Sequence, residues 1–375
     1  MRFVPIIVAV SAVALLAGCT SSREPNTPSG VPDNRIRAVQ ADIDAVVATG
    51  ATGAIATVTD NGKTVVLTSG VADVATGARI PVDPPQRVRV GSISKTFTGA
   101  IVLQLVAEGK VRLDEPVETY LPGLLRGDGI DGRAITVRQV LRHQSGLPEI
   151  TKDPRVDEYQ AALENRTMTP AEVMGIGLLQ PADFAPGARF EYRNTNYYVA
   201  AMLVEKVTGA RYVDELNRRI LQPQGLADTY LPAPGDRDIR GPHPKGYAMV
   251  NGSLTDVTRI EPSVPWAAGA LVTTGSDLNR FYSALLAGRV VPDAQLREMR
   301  DGVLMDEDMK MYYGLGLGHT TLPCGAEYLG HSGGIYGYDS IAGATPEGRA
   351  VTFTFTTSVD TMPDLIGMLG HALCP

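Results

Sequence analysis

The sequence predicts an α/β (α+β) fold: an antiparallel sheet flanked by helices, with an all-helical domain inserted into it. Three observations predict it. Strand-like runs lie near both ends of the chain, a helix apolar on nearly every face follows the first of them, and the stretch from Leu113 to about Val257 shows helical spacing without convincing strand alternation.

In chain order, Met1-Arg2 precedes the apolar run Phe3 to Ala17, too short to span a bilayer comfortably but suited to a signal h-region. The run ends in Leu16-Ala17-Gly18-Cys19, which looks like a bacterial lipobox, so residues 1–18 are expected to be a signal peptide and Cys19 the acylated first residue of the mature protein. Residues 19–34, rich in Ser, Pro, Asn and Thr, follow as a lipidated tether. The expected localisation is therefore extracytoplasmic, held at the cell membrane by lipid. Outside the cytoplasm disulfides persist, so Cys324 and Cys374, the remaining pair, form either a bridge or two free buried thiols.

The fold is expected to open with an antiparallel pair, Ala54–Val58 and Thr64–Ser69, because Asn61-Gly62 between two β-rich runs is a hairpin signal. Ser92 to Glu108 then forms the buried central helix, ended by Gly109. Ala200–Val207 and Tyr212–Leu221 are helical within the insertion. Tyr313–Leu317, Tyr338–Ala344 and Ala350–Thr357 are expected strands, and Pro363–Leu373 a closing helix. The α/β domain thus comprises 35–112 and 258–375, the inserted domain 113–257, and the cleft between them is the expected site.

Composition narrows the function. With 34 Lys plus Arg against 41 Asp plus Glu in 375 residues, the net charge of −7 argues against nucleic acid as a partner. No His/Cys cluster has metal-ligand spacing, and no cofactor or metal is expected.

Ser92-Ile93-Ser94-Lys95 puts a hydroxyl and an amine three residues apart on one face of the buried helix. A serine needs a base to become a nucleophile, and Lys95 can act as one once desolvation lowers its pKa. Tyr192-Arg193-Asn194 follows the turn Ala185-Pro186-Gly187, and His331-Ser332-Gly333-Gly334 lies in an expected strand whose glycines let a substrate run alongside as an extra strand.

These three elements, in this order, resemble the SxxK, YxN and KTG or HTG motifs of the serine penicillin-binding and β-lactamase superfamily, and the sequence resembles in particular the streptomycete-type soluble D-alanyl-D-alanine carboxypeptidases, which are class C β-lactamase-like. The resemblance runs from about Arg35 to the end through stretches such as Thr119-Tyr120-Leu121-Pro122-Gly123, Asn194-Thr195-Asn196 and Tyr313-Gly314-Leu315-Gly316-Leu317. It implies a β-lactamase/transpeptidase-like fold. It implies that Ser92 forms an acyl-enzyme, that Lys95 and Tyr192 share the proton work, and that the N–H groups of Ser92 and Gly334 form the oxyanion hole. Asn194, Ser332 and Gly333 would bind substrate, Trp266 would wall the cleft, and His331 would carry positive charge near the reacting centre, giving a pH dependence around 6 to 7. It also implies the bridge between Cys324 and Cys374, and a structural hydrogen-bonding role for His143.

Two departures stand out. Gly318 and Gly334 occupy the places of an arginine and a threonine that hold the substrate's terminal carboxylate in that carboxypeptidase, and glycine offers neither charge nor hydroxyl. His319, Arg349 or Arg193 could compensate. The expected function is an exported serine hydrolase, expected as a monomer, acting on peptidoglycan stem peptides ending in D-Ala-D-Ala, on another small acyl substrate, or on β-lactams. The alternatives are a same-fold esterase or D-amino-acid amidase and a non-catalytic penicillin-binding sensor.

Overall fold

The computed structural model describes residues 30–357 and 364–375; Cys19 and the expected signal and tether up to residue 29 lie outside the described residues. The chain enters through helix α1 (Asp33–Ala48), which the strand-first expectation missed. Its signal is Val39, Ile43 and Val46, spaced to bury one face. Strands β1 (Gly53–Asp60) and β2 (Lys63–Asp73) then form the expected hairpin, with Asn61 and Gly62 both at positive φ as a type I′ turn requires. A short β3 (Ala78–Arg79) follows.

A single turn at Gly91–Ile93 leads into helix α2 (Ser94–Ala107), buried on almost every side. Helix α3 (Asn194–Thr208) packs against it, and Tyr212–Leu216 continues as one wide turn through Leu221. The segment 113–257 is not all-helical, however. It holds two small hairpins, Arg126–Gly127 with Ile130–Asp131 and Tyr247–Val250 with Ser253–Asp256. Each is built on an Asx-Gly turn, Asp128-Gly129 and Asn251-Gly252, the same chemistry as Asn61-Gly62 on shorter and less apolar arms.

Helix α4 (Gly275–Leu286) precedes six further strands: β4 (Val303–Asp306), β5 (Met311–Tyr313), β6 (Gly318–Thr321), β7 (Glu327–Ile335), β8 (Tyr338–Ala344) and β9 (Ala350–Phe355). Of the expected strand Tyr313–Leu317 only Tyr313 is in a strand; Gly314 to Leu317 are the connection between β5 and β6, closed by Gly314 N–H donating to the Leu317 carbonyl. Helix α5 (Leu365–Leu373) ends the fold. The sheet has nine strands in the order β4-β5-β6-β7-β8-β9-β1-β2-β3, so the first and last thirds of the chain meet where β1 pairs antiparallel with β9, Ala54 opposite Phe355.

Helices cover both faces. α1 and α5 bury Val39, Ile43 and Leu369 against Val351 and Phe353, and the Cys324–Cys374 bridge, 6.0 Å between Cα atoms, ties the β6–β7 turn to the end of α5 on that side. On the other face α4 packs on β8, β9 and β1, and Phe97 of α2 stacks on Phe281 of α4. The start of α2 is thereby fixed against strand β7.

Candidate active site

Ser92 sits in the turn before α2, and two glycines allow β7 to reach it. A Cβ on Gly333 would stand 2.1 Å from the Val90 carbonyl oxygen, and one on Gly91, at φ +50°, 2.5 Å from that of Gly334. The β6 pairing of β7 ends at Gly330, so from His331 to Ile335 one edge of β7 is free. The edge left without a strand partner lies next to Ser92.

Lys95 is fully buried one turn on from Ser92. Its Nζ donates to Ser92 Oγ at 2.9 Å, Asn194 Oδ1 at 2.8 Å and the Ala268 carbonyl oxygen at 2.8 Å. Burial drives its pKa down to about 7, against a smaller opposing pull from Glu149. When the amine is neutral, its two protons can stay on Asn194 and Ala268 while its lone pair turns to the Ser92 hydroxyl proton. Nζ also lies 5.0 Å from the centre of the Tyr192 ring.

The Tyr192 hydroxyl is buried without a hydrogen-bond partner of good geometry, and burial raises its pKa well above the usual tyrosine value, with Ser92 offsetting part of the rise. Tyr192 is therefore a phenol, not a phenolate, in the resting site. Beneath it His143 is wholly buried, its ring centre 4.2 Å from that of Tyr192. His143 Nδ1 accepts from Arg193 N–H at 3.1 Å and lies 3.1 Å from Asn196 Nδ2, so the residue fixes the Tyr192-Arg193-Asn194 segment.

His331 departs from the expectation of positive charge. Its Nδ1 faces the Ser332 carbonyl oxygen, and its Nε2 lies 3.0 Å from the Tyr313 hydroxyl, an arrangement for neutral imidazole with the proton on Nδ1. Burial, reinforced by Lys95, pushes its pKa down to about 3. It stays neutral from pH 5 to 8, so the expected titration near 6 to 7 does not belong to it.

Trp266 is also placed differently. Its ring packs against those of Tyr198 and Tyr212, while its neighbours Pro265, Ala268 and Gly269 face the cleft. Asn194 is oriented by Glu149, which accepts from its main-chain N–H at 2.6 Å and from Nδ2 at 3.3 Å. Sequence reasoning missed Glu149, Tyr313 and the Ala268 carbonyl; none belongs to a spacing motif.

Two cavities flank Ser92. The larger, about 340 Å³, is walled by Tyr192, Met305, Met311, Tyr313, Tyr328, Ile341 and the β6–β7 residues Gly318, Gly330 and His331 to Gly334. None of these carries a positive charge. Of the candidates for replacing a carboxylate-binding arginine, Arg193 pairs with Asp183 at 2.7 Å and with Glu191, Arg349 bonds the Leu373 carbonyl, and His319, stacked on Tyr312 and outside this cavity's wall, has its pKa lowered by burial. The smaller cavity, about 80 Å³, lies on the other side, between Ser92, Asn194, Glu158, Tyr198, Ala268 and Gly334.

The chain is similar to several known proteins. The chain is 27% identical over 333 residues to penicillin-binding protein 4 of Amycolatopsis lactamdurans, across 82% of this chain and 83% of that protein. It is similar in structure to a D-stereospecific amidohydrolase from Streptomyces sp., with TM-score 0.82 and 38% identity over 92% of this chain and 99% of that one. D-amino acid amidase from Ochrobactrum anthropi SV3 superposes with TM-score 0.75 and 28% identity over 86% and 92%. The Beta-lactamase family model matches residues 36–372. Since that match runs through every element that walls the two cavities, the chain belongs to the β-lactamase family, as a β-lactamase-fold serine hydrolase.

Proposed function

We propose that the protein is an amidohydrolase that acylates Ser92 with the acyl part of a D-amino-acid amide or ester and expels an uncharged leaving group. One observation carries this reading: the larger cavity beside Ser92 has no cation in its wall, with Gly318 and Gly334 where a carboxylate-binding side chain would be needed. The likeness to the two D-specific amidases supports it.

In this mechanism neutral Lys95 takes the Ser92 proton as Oγ attacks the carbonyl. The oxyanion is held by the N–H groups of Ser92 and Gly334, each such donor contributing about 2.7 to 4 kcal/mol. Tyr192, a phenol beside Lys95, gives its proton to the departing nitrogen and regains one from the Lys95 ammonium. Water then releases the acyl group by the reverse proton path.

A second reading, hydrolysis or trapping of D-alanyl-D-alanine peptides or β-lactams, is favoured by the similarity to penicillin-binding protein 4. Either reading suits an exported, lipid-anchored protein, which the lipobox-like Leu16-Ala17-Gly18-Cys19 supports. Comparing kcat/KM for D-phenylalanine amide with that for a D-Ala-D-Ala peptide decides between them. The amide should be preferred at least tenfold, and a preference for the peptide overturns the amidohydrolase reading.

A further inference from the structure

Glu158 is the acidic side chain on the wall of the smaller cavity, and neither the motifs nor the mechanism uses it. It lies in the same small space as Ser92 and Asn194, on the side away from the proposed leaving-group cavity. Among the described residues no cation pairs with its carboxyl, whose hydrogen bond is to its own main-chain N–H. Desolvation pushes its pKa up to about 7, with Asp157 adding to the rise and the Arg89 charge opposing it.

Most of the surrounding charged groups have other partners. Glu149 accepts from Asn194 and from Thr151 N–H and Oγ–H, each of the latter at 3.0 Å. Asp157 caps Gln160 N–H at 2.8 Å and accepts from the Tyr336 hydroxyl at 3.1 Å. Arg89 donates through Nε and Nη2 to the Thr258 and Arg237 carbonyl oxygens, its buried Nη1 has no hydrogen-bond partner and the residue forms no ion pair with Glu158, and Lys95 is held by its three acceptors. The acyl-side cavity thus presents one half-buried carboxyl, without a cation partner among the described residues, to whatever is attached to the reacting carbonyl. A buried carboxylate is costly until a cation reaches it. An unblocked α-amine carries such a charge at neutral pH, since its pKa lies near 7.7 to 8.0, and an N-acylated one does not.

We propose that Glu158 is the anchor for a free α-ammonium group on the acyl side of the substrate, so that the protein selects unblocked aminoacyl amides and esters over N-acylated ones. This rests on the amidohydrolase reading for its choice of substrate but is tested by binding alone. In the full chain carrying Ser92→Ala, calorimetry should show D-phenylalanine amide binding about tenfold or more tightly than N-acetyl-D-phenylalanine amide, the size expected of a charge-assisted hydrogen bond. Adding Glu158→Gln should erase most of that difference, and Glu158→Asp serves if the glutamine variant does not fold. Equal or weaker binding of the free amine, no binding of either ligand, or a preference that survives both Glu158 variants overturns the proposal. Failure of the parent chain to hydrolyse either amide, with the binding preference intact, would instead count against the amidohydrolase reading alone.

Discussion

Lys95 and His331 exchange the roles that their ordinary pKa values assign them. The lysine, at about 7, is the group that titrates near neutrality, and the histidine, at about 3, does not. Because Lys95 serves as base only when neutral, acylation by a neutral ester should rise with pH through about 7 and level off above it. The same inflection should persist in His331→Gln; its disappearance there would return the titration to the histidine. Tyr192→Phe keeps the ring against His143 and Lys95 but removes the proton donor, so turnover should fall by about 10² to 10⁴, a fall that a rate assay reads directly. Ser92 and Lys95 were legible because a spacing of three places two side chains on one helical face. The neutrality of His331 was not, because it depends on Tyr313, the Ser332 carbonyl and burial, which no local pattern encodes. Glu149 and Glu158 were hidden for the same reason: each faces the site from a loop or helix start whose position is tertiary.

Strand β7 and the turn before α2 act as one unit, joined where Gly333 meets Val90. In Gly333→Ala the added Cβ has no room beside the Val90 carbonyl oxygen, so either the strand or the turn must shift. The change should cost about 1 to 3 kcal/mol of stability and a larger share of activity, because the shift separates Gly334 from Ser92; a melting curve and a burst assay check the two parts. At this scale the Asn61-Gly62 hairpin, β8, β9, α2 and α5 were legible from turn residues and apolar runs. Helix α1 was not read, although Val39, Ile43 and Val46 mark its face, because its polar face blends in sequence with the Ser-, Pro- and Asn-rich stretch before it. Tyr313–Leu317 misled because alternating Gly and Leu satisfies a strand pattern while the glycines permit a turn.

The whole molecule is a sheet assembled from both ends of the chain, and its closure depends on α1, α5 and the Cys324–Cys374 bridge on the face opposite α2. A bridge closing a loop of 50 residues contributes about 4 kcal/mol by chain entropy. Reduction should therefore lower the melting temperature while leaving the initial rate at 25 °C nearly unaltered; a large immediate loss of rate would show that the bridge reaches the site. Cys19→Ser should move the protein from the membrane fraction to the soluble one if the lipobox reading holds, and unchanged fractionation would sink it. The central claim is that Ser92 forms an acyl-enzyme, and rapid-quench intact-mass measurement on the full chain with D-phenylalanine methyl ester tests it most directly. A transient D-phenylalanyl adduct, mapped to Ser92 and absent from Ser92→Ala, is expected. Turnover without any adduct, or an adduct that persists in Ser92→Ala, would contradict it.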